Sequence, residues 1–298
     1  MFDNVKRFDS NEGNVWKYVF TKEDAVAEAV LYRYGSFEER TVICCSVMSG
    51  CPVGCSFCGT GKKFIRNLTA EEIVSQIKHI LNDMNITNIN SSGKKFQIMF
   101  MSMGEPMLNW NNVAQAIRVM YYSMSMRNAQ YLISTMGVDH AITFGNMISL
   151  SQEIPNIGLQ FSIHESYDYA RDNLIPYKNK MDLCTIRDAG IAWWHATGRK
   201  VFLNYCVKTS NSTTADVQRL NTLFSSLIFN FTLSVICTPV ETLKDIWDRD
   251  LDMVCTFAND LSALGHDTRV FDPAGQDDIG GGCGQLWYVQ KWMEEHKA

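Results

Sequence analysis

Segments of strand character and segments of helix character alternate along most of this chain. The strand-like segments are rich in β-branched residues, and the helical ones repeat apolar residues at intervals of three and four. Such alternation predicts a parallel sheet covered by helices, because parallel strands need a crossover connection. About six strand–helix units indicate an α/β fold, an open, partial (β/α)6 TIM-like barrel with its chemistry at the C-terminal ends of the strands. The strands are predicted at 41–47, 97–102, 130–134, 157–162, 200–206, 231–236 and 268–271, and the helices at about 69–81, 112–123, 183–197, 215–227 and 250–263.

Residues 1–39 are predicted to form a short N-terminal extension ahead of a core of residues 40–298. Two segments of the extension, 15–20 and 27–34, carry β-type residues and are predicted to pair as a hairpin. The sequence shows no low-complexity linker and no internal repeat. We therefore expect one core domain that ends in a cysteine-containing loop.

The composition favours a cytoplasmic protein with no membrane association. The longest apolar runs, such as 98–101 and 191–194, are too short to span a bilayer, and the N-terminus lacks the apolar core of a signal peptide. Ten cysteines without an export signal favour a reducing compartment. A net charge of −5 does not support broad, nonspecific binding of nucleic acid. An RNA contact would need a local basic patch, for which the candidates are Lys62, Lys63, Arg66, Arg127, Lys178 and Lys180.

Three cysteines, Cys51, Cys55 and Cys58, follow the first predicted core strand with the spacing C-x3-C-x2-C. Thiolate is the usual ligand of iron–sulfur clusters, so this loop is suited to three irons of a 4Fe–4S cluster and leaves the fourth iron free for a small molecule. The spacing, with Phe57 before the last cysteine, resembles the cluster loop of the radical S-adenosylmethionine (SAM) superfamily. Structural zinc is the simpler alternative, but it normally takes four Cys or His ligands in paired spacings. A disulfide framework is disfavoured because a chain of this length with no export signal needs no cross-links.

Polar residues follow three further predicted strands. Gly104-Glu105-Pro106 follows the second strand, Ser134 the third, and Ser162-Ile163-His164 the fourth. Taken singly, these are a turn with an incidental glutamate, polar residues at strand ends, and a structural histidine. Because the C-terminal ends of parallel strands meet at one edge of the sheet, their positions predict a shared site beside the cysteine loop.

Two more cysteines stand out, one near each end of the core. Cys283 lies among the glycines of GGGCGQL, which permit sharp bends and close approach of a ligand. A mobile, accessible thiol is the favoured interpretation, and such thiols are usually reactive. Cys44 lies in the strand that enters the cysteine loop, and Cys45 is expected to face the other side of the sheet. By themselves both resemble core residues, which is the prediction for Cys184, Cys206, Cys237 and Cys255.

Together these motifs resemble the RlmN/Cfr family of radical SAM enzymes, which methylate an adenosine of RNA. The resemblance extends from about Thr41 to Leu286 and rests on Cys44, the cysteine triplet, RNLT at 66–69, GEP, STxG, SxH and DDI-x3-CGQL. It implies that Cys51, Cys55 and Cys58 bind a 4Fe–4S cluster. It implies that S-adenosyl-L-methionine is bordered by Gly104, Glu105, Ser134, Ser162, Ile163 and His164. It also implies that Cys283 carries the methyl group and that Cys44 is the resolving cysteine.

The resemblance implies a reaction that needs both cysteines. One SAM methylates Cys283, and a second is cleaved reductively to a 5′-deoxyadenosyl radical that removes a hydrogen from that methyl group. The methylene radical adds to carbon 2 of adenine, an electrophilic carbon that simple nucleophilic chemistry does not methylate. Deprotonation and a Cys44–Cys283 disulfide then release 2-methyladenosine in 23S ribosomal RNA, in transfer RNA, or in both. A flavodoxin-like or other electron donor is the expected partner, and the enzyme is predicted to be a monomer.

The chain departs from the family pattern in three places. Only 43 residues precede Cys44, so the accessory RNA-binding domain of the family is expected to be missing or much reduced. Neutral or acidic residues follow Arg269 where the family has basic ones, and an expected asparagine has only Ser234 and Thr238 as candidates. Methylation at carbon 8, as in Cfr, and action on a non-RNA substrate therefore stay open. A non-catalytic iron–sulfur or RNA-binding protein is disfavoured because every cysteine of the pattern is present.

Overall fold

The structure is a computed structural model that describes residues 2–87, 89, 95–235, 243–271 and 279–280. Within these residues the strands are β1 (Asn4–Asp9), β2 (Val15–Lys22), β3 (Ala25–Tyr34), β4 (Arg40–Cys45), β5 (Met48–Gly50), β6 (Phe64–Asn67), β7 (Lys95–Phe100), β8 (Gln130–Thr135), β9 (Ile157–Ser162), β10 (Val201–Val207), β11 (Phe229–Val235) and β12 (Thr268–Val270). The helices are α1 (Ala70–Asp83), α2 (Trp110–Arg118), α3 (Ala141–Glu153), α4 (Asp168–Leu174), α5 (Leu183–Thr197), α6 (Thr214–Leu223) and α7 (Leu243–Ala263).

The described strands form one large sheet in the order β1-β2-β3-β4-β7-β8-β9-β10-β11-β12, with β5 and β6 paired separately. All neighbours from β4 to β12 are parallel. Helices α1 to α7 lie in the connections between these parallel strands. The predicted partial barrel is therefore confirmed, and the C-terminal ends of its strands lie at one edge.

The N-terminal strands continue this sheet in the antiparallel sense. Strand β2 pairs with β3 from Val15↔Tyr32 to Lys22↔Ala25, and β3 pairs with β4 through Val30↔Cys44. The N-terminal residues therefore form a wall beside the first barrel strand. The division of the chain into an extension and a core at residue 39 stays a prediction.

Helix α1 begins where the sequence predicts, because Thr69 and Glu72 form a reciprocal capping box. Its apolar residues, among them Ile73 and Ile77, are buried against the outer face of the sheet. Helix α3 was not predicted from the pattern. It buries Phe144, Met147 and Leu150, which are spaced three residues apart. Ile142 is apolar but 72% exposed, so the apolar residues of this segment do not all lie on one face.

Two expectations about side chains are wrong. Cys184 is exposed rather than in the core, because α5 buries Leu183, Ile186 and Trp193 and turns its other side to solvent. Leu227, the last residue of the helix predicted at 215–227, lies outside α6 and is 76% exposed, because α6 already ends at Leu223. Cys206 is buried as predicted, Cys255 is half-buried, and Cys237 lies outside the described residues.

Of the described helices, none combines the length and the apolarity that crossing a membrane requires.

Candidate active site

Two buried amides hold the ends of the cysteine loop. Gln76 of α1 accepts a hydrogen bond from the Ser46 N–H and donates one to the Ser46 carbonyl, both at 3.0 Å. Asn109 donates to the carbonyls of Val47 and Leu68 at 2.7 and 2.8 Å. Because these amides are buried and their hydrogen bonds are made, they fix the start and the end of the loop to the core.

The RNLT segment, residues 66–69, makes polar contacts with the first turn of α1. Arg66 donates two hydrogen bonds to the Glu72 carboxylate, at 2.8 and 2.9 Å. Burial acts to raise the pKa of Glu72, but hydrogen bonds from Arg66 and from the Thr69 N–H hold that pKa at about 2. Among the predicted basic candidates, Lys180 likewise forms an ion pair, with Asp172 at 2.5 Å. Neither cation is therefore a free contact for RNA.

The thiols of Cys51, Cys55 and Cys58 lie together after β4, and each residue is half-buried. Burial raises the pKa of Cys51 to about 12 and also raises that of Cys55. The charges of Cys58 and Glu105 also raise the pKa of both thiols. The cysteine loop and the GEP segment are therefore close enough to interact electrostatically.

The arrangement of the thiols bears on which metal group they suit. In the described part of the chain, no three Cys, His, Asp or Glu residues converge closely enough to hold one metal ion. A single zinc ion needs all its ligands within bonding distance of one point. The irons of a cluster stand at separate corners and take one thiolate each. Three cysteines in one short loop match the number of ligands for a cluster with one open iron, whereas structural zinc normally takes a fourth Cys or His ligand.

Glu105 joins the GEP segment to the segment after β8. It is 4% exposed and accepts hydrogen bonds from the Thr135 hydroxyl at 2.5 Å, the Met136 N–H at 2.9 Å and the Met107 N–H at 3.0 Å. Burial raises the pKa of Glu105, while these hydrogen bonds oppose the rise. A carboxylate offers about four acceptor positions, so one position stays available for an ammonium group.

Gly104 is required by the backbone. Its φ is +99°, and a Cβ atom there would lie 2.6 Å from the Met48 side chain. Both the left-handed conformation and the close approach favour glycine. The absence of a side chain lets the GEP turn pack directly on β5.

Ser134, Ser162 and Ile163 lie at the ends of β8 and β9, as predicted. The Ser134 hydroxyl accepts a hydrogen bond from the Gln160 amide at 3.3 Å. Ser162 is half-buried, whereas Ile163 is fully buried in the main core and donates its N–H to the Asn204 carbonyl at 3.0 Å. The Ile163 side chain is thus a packing element, and its backbone is the part that can border a ligand.

His164 ties the end of β9 to the cysteine loop. It adopts a left-handed conformation with φ +58°, and its ring packs edge-on against Phe57 with centroids 5.2 Å apart. Its Nδ1 accepts a hydrogen bond from the Cys206 N–H at 3.1 Å, which places the proton of the neutral ring on Nε2. Burial, reinforced by the charge of Arg171, lowers the pKa of His164 to about 3.

Arg171 was missed by sequence reasoning. Its side chain is fully buried and donates hydrogen bonds to the carbonyls of Met136, Ser162 and Met181. Burial lowers the pKa of Arg171 to about 10, and the carbonyls compensate for the lost hydration of the guanidinium. Arg171 therefore positions the segments after β8 and β9. An arginine in a short helix gives no sequence signal for this role, which depends on distant contacts.

A cavity of about 800 Å³ lies on the inner face of the sheet. Cys44 and Cys58 line one end, and Arg40 and Arg269 line the other. A complete eight-stranded barrel is filled by side chains, so this open interior is a property of the partial barrel. The described lining does not include the predicted SAM residues, which lie past it at the strand ends: Gly104, Glu105, Ser134, Ser162, Ile163 and His164.

Cys44 and Cys45 face opposite sides of β4, as strand alternation predicts. Cys44 is half-buried and lines the cavity, whereas Cys45 is fully buried in the main core. Burial raises the pKa of Cys45 well above its usual range. Cys45 is therefore inert, and Cys44 is the thiol open to the interior.

Cys283 lies outside the described residues, but the chain shortly before it is placed. Ile279 packs on the apolar cluster that includes Val30 and borders Cys44. The Gly280 carbonyl accepts a hydrogen bond from Lys17 Nζ at 3.4 Å. Three residues before Cys283 in sequence, the chain thus lies against β2 and β3, and β3 pairs with the strand that contains Cys44.

A buried ion pair on this wall was also missed by sequence reasoning. Lys17 Nζ lies 2.9 Å from Glu28 Oε2, and the side chains are 4% and 0% exposed. Glu28 shares a face of β3 with Val30, which pairs with Cys44 across β3 and β4. The available signal was a charged residue within the apolar run of each strand, at positions 17 and 28.

Comparison with known proteins identifies the family, although no family model matches the chain. The probable dual-specificity RNA methyltransferase RlmN of Thermus thermophilus is 32% identical over 290 residues, which cover 96% of this chain and 77% of the relative. The chain belongs to the RlmN family. The corresponding protein of Thermotoga neapolitana is 30% identical over 295 residues, which cover 96% of this chain and 79% of that protein.

Solved structures agree with RlmN-family membership. A radical SAM methyltransferase from Sphaerobacter thermophilus matches with a TM-score of 0.79 and 27% identity, covering 94% of this chain and 79% of that chain. SuiB of Streptococcus suis, solved bound to S-adenosylmethionine, shares the fold with a TM-score of 0.55 at 11% identity, over 80% of this chain and 52% of that chain. The predicted radical SAM type of barrel is confirmed.

As a radical SAM family, the RlmN family uses a 4Fe–4S cluster and SAM, and the residues present suit both. The cysteine triplet provides three thiols in one loop with the spacing C-x3-C-x2-C, and Glu105 keeps an acceptor for the ammonium group of SAM. A thiol must lose its proton to bind iron. Because burial raises the pKa of Cys51, the iron has to displace the proton of this thiol when the cluster assembles.

The depressed pKa of His164 predicts a pH dependence of stability. Between about pH 6.5 and 3 the unfolded chain binds a proton that the folded chain does not, so the free energy of unfolding falls as the pH falls. Between pH 7.5 and 5.5, the wild-type protein should lose about 1.4 kcal/mol more than the His164→Asn variant. Asparagine tolerates the left-handed backbone at this position. Anaerobic urea unfolding at both pH values measures the difference, and equal losses would contradict a buried, neutral histidine.

Proposed function

We propose that this enzyme methylates carbon 2 of an adenosine in ribosomal or transfer RNA, using a methyl group carried on Cys283. The observation that carries the proposal is the position of Cys44, which faces the cavity at the end that also reaches Cys58. A thiol that faces an open interior beside the cysteine loop adds little to packing. A resolving thiol has to reach both the substrate and Cys283, and the position of Cys44 on the cavity surface supports that role.

The roles assigned to the cofactor site are part of the proposal. Cys51, Cys55 and Cys58 would hold the cluster, and the glycine, carboxylate and strand-end residues would border SAM: Gly104, Glu105, Ser134, Ser162, Ile163 and His164. With both groups bound, the site supplies a 5′-deoxyadenosyl radical. The buried Glu105 would accept from the ammonium group of SAM, and the contact between His164 and Phe57 would hold the cysteine loop in place.

Cys283 and Cys44 act in different steps of the methyl transfer. The Cys283 sulfur takes a methyl group from SAM. That methyl group would lose a hydrogen atom to the 5′-deoxyadenosyl radical, and its carbon would become joined to carbon 2 of the adenine. The resulting radical adduct would give up one electron, which the oxidised cluster could accept. After the adenine carbon loses its proton, the Cys44 thiolate attacks the Cys283 sulfur. A sulfur–sulfur bond forms, the sulfur–carbon bond breaks, and its electron pair goes to the departing carbon, which is protonated to the product methyl group. Reduction of the disulfide restores both thiols.

The carboxylate of Glu28 is a neighbour of Cys44 in the sheet, but it is fully buried and is absent from the described cavity lining, so it supports the structure around the thiol. Val30 lies directly opposite Cys44, and Glu28 lies two residues before Val30 on the same face of β3. Glu28 is therefore a diagonal neighbour of Cys44, a relation that places Cα atoms roughly 7–8 Å apart. The ammonium of Lys17, at 2.9 Å, compensates the buried carboxylate charge.

The expected partners extend beyond RNA. We infer that a flavodoxin-like or other electron donor reduces the cluster and that the enzyme acts as a monomer in the cytoplasm. The proposed product is 2-methyladenosine, and chromatography of RNA digests separates it from the carbon 8 product.

Replacing Cys283 with alanine tests the methyl-carrier role. The variant should lose all transfer of methyl groups to RNA, while reductive cleavage of SAM to 5′-deoxyadenosine continues, because the cluster ligands are untouched. The Cys184→Ala variant is the matched control, since Cys184 is exposed on α5 and should be dispensable. Iron content and 5′-deoxyadenosine are measured for each protein. Loss of the cluster from the Cys283→Ala variant would show a structural role for Cys283 instead.

A further inference from the structure

The end of the cavity away from the cysteine loop carries basic and amide side chains that the proposed chemistry does not use. Arg40 begins β4, Lys200 precedes β10, and Arg269 lies in β12. All three line the cavity, together with Arg199 and the polar residues Gln97, Asn128, Gln130, Asn156 and Asn230. Lys200 is paired with Asp267 at 3.0 Å, and Arg199 donates to backbone carbonyls. Among the described lining residues at this end, Arg40 and Arg269 are therefore the two cations available to a ligand.

Arg40 and Arg269 line the same end of the cavity, from the first and the last of the described parallel strands. Burial lowers the pKa of Arg40, and the positive charge of Arg269 lowers it further. Within the described residues, neither arginine forms an ion pair with a carboxylate. Two cations that line the same end of a cavity and have no counter-charge among the described residues are suited to an anionic ligand between them.

The Arg40 guanidinium is held in place rather than free in solvent. It donates to the Gln97 side-chain carbonyl at 3.1 Å and lies over the Tyr34 ring at 4.6 Å from the centroid. Gln97 is held in turn by a hydrogen bond with Gln130 at 2.9 Å. A guanidinium with its plane fixed by an aromatic ring presents its remaining N–H donors in a fork, which matches the oxygens of a phosphate.

The register of β4 relates Arg40 to the reactive thiol. Arg40, Val42 and Cys44 alternate on the inner face and all line the cavity. Four residues at about 3.3 Å each separate the Cα atoms of Arg40 and Cys44 by about 13 Å. In a nucleotide the ribose separates the phosphate from the base. A nucleotide lying along β4 with its phosphate at Arg40 therefore directs its base towards Cys44.

We propose that Arg40 and Arg269 bind a backbone phosphate of the RNA substrate beside the target adenosine, so that RNA enters the barrel at the N-terminal ends of the strands. The proposal rests on the proposed methylation of RNA. Aromatic side chains that line the same cavity offer surfaces on which unstacked bases can pack: Tyr32, Tyr34, Phe202 and Phe271. A local pair of arginines also meets the need for a basic patch in a chain of net charge −5.

The test compares Arg40→Gln, Arg269→Gln and the double variant with the wild-type enzyme, using unmodified in vitro transcripts of tRNA and 23S rRNA. The KM for RNA should rise about tenfold for each arginine replaced, as expected when a charged hydrogen bond is removed. The slope of log KM against log salt concentration should become shallower by about 0.7 for each phosphate that is no longer neutralised. Arg187→Gln is the control, since it removes the same charge from the outer helix α5, where Arg187 pairs with Asp188.

Methylation of Cys283 separates the possible outcomes, because that step needs SAM but no RNA. A higher KM and a shallower salt slope, with Cys283 still methylated, would support the phosphate site. RNA kinetics equal to those of Arg187→Gln would overturn the site and leave the proposed function standing. Failure of the wild-type enzyme to methylate either RNA would overturn the proposed function, and the phosphate site with it. Variants that lose Cys283 methylation as well would show that the arginines act on folding or on the cofactor site, which also overturns the proposal.

Discussion

Replacing Cys44 with alanine is expected to stop turnover after a single event and leave the protein covalently joined to its RNA. In the proposed reaction the product leaves only when Cys44 attacks the sulfur of Cys283. Without that thiol the bond between the adenine and Cys283 persists. After anaerobic reaction with SAM, reductant and RNA, denaturing gel electrophoresis should show a slowly migrating species that ribonuclease removes. Its yield should approach one RNA per active protein.

Cys45→Ala provides the control for this experiment. Cys45 is the neighbouring residue, but it is buried in the main core on the other face of β4. The variant should turn over without accumulating the adduct, at a modest cost in stability. Equal accumulation in both variants, or none in Cys44→Ala, would contradict the assignment of Cys44 as the resolving thiol.

Replacing Lys17 with methionine is expected to destabilise the fold by about 3–5 kcal/mol, because it leaves the Glu28 carboxylate buried without its counter-charge. The pair is 4% and 0% exposed, so water cannot take over the role of the ammonium. The Lys17→Met/Glu28→Leu double variant should recover most of this loss, since apolar residues of similar volume can replace a buried ion pair. Denaturant unfolding of the three proteins measures the effect.

The double variant also separates folding from chemistry. It should be stable and should still methylate RNA, because neither Lys17 nor Glu28 is among the described residues that line the cavity. The exposed pair Arg187–Asp188 gives the comparison for stability, since Arg187→Gln should cost roughly 0–1 kcal/mol. A Lys17→Met variant as stable as Arg187→Gln would show that the buried charge is compensated in some other way.

The parts of the molecule that were predictable from sequence depend on local signals. Residues 157–162 and 183–197 were predicted as a strand and a helix with the bounds that the structure gives them. The capping box of α1 follows from Thr69 and Glu72, three residues apart. The positions of the cysteine loop and of Glu105 follow from strand–helix alternation. Each is encoded within a short stretch of the chain.

What the sequence did not reveal depends on contacts between distant segments. Arg171 binds carbonyls from the segments after β8 and β9, and Gln76 binds the start of the cysteine loop 30 residues earlier. The pairing of Lys17 with Glu28 becomes apparent only when the register of β2 and β3 is known. A charged residue at such a position is indistinguishable from a solvated one until the fold supplies its partner.

The same limit applies to the RNA contacts. The basic candidates named from the sequence include Arg66 and Lys180, which the structure pairs with carboxylates. Arg40 and Arg269 are 229 positions apart and gave no joint signal. They line one cavity because the first and the last of the described parallel strands border the same interior. Their placement in the cavity with Cys44 is a property of the fold.

The central claim is that Cys283 carries the methyl group of a radical SAM reaction on RNA. The most direct test is anaerobic reconstitution of the cluster, addition of SAM and a reductant, and mass spectrometry of the Cys283 peptide with assay of 5′-deoxyadenosine. We expect a methyl group on Cys283 and a rise in 5′-deoxyadenosine when bulk RNA is added. Formation of 5′-deoxyadenosine with Cys283 unmodified would retain the radical chemistry and contradict the methyltransferase assignment.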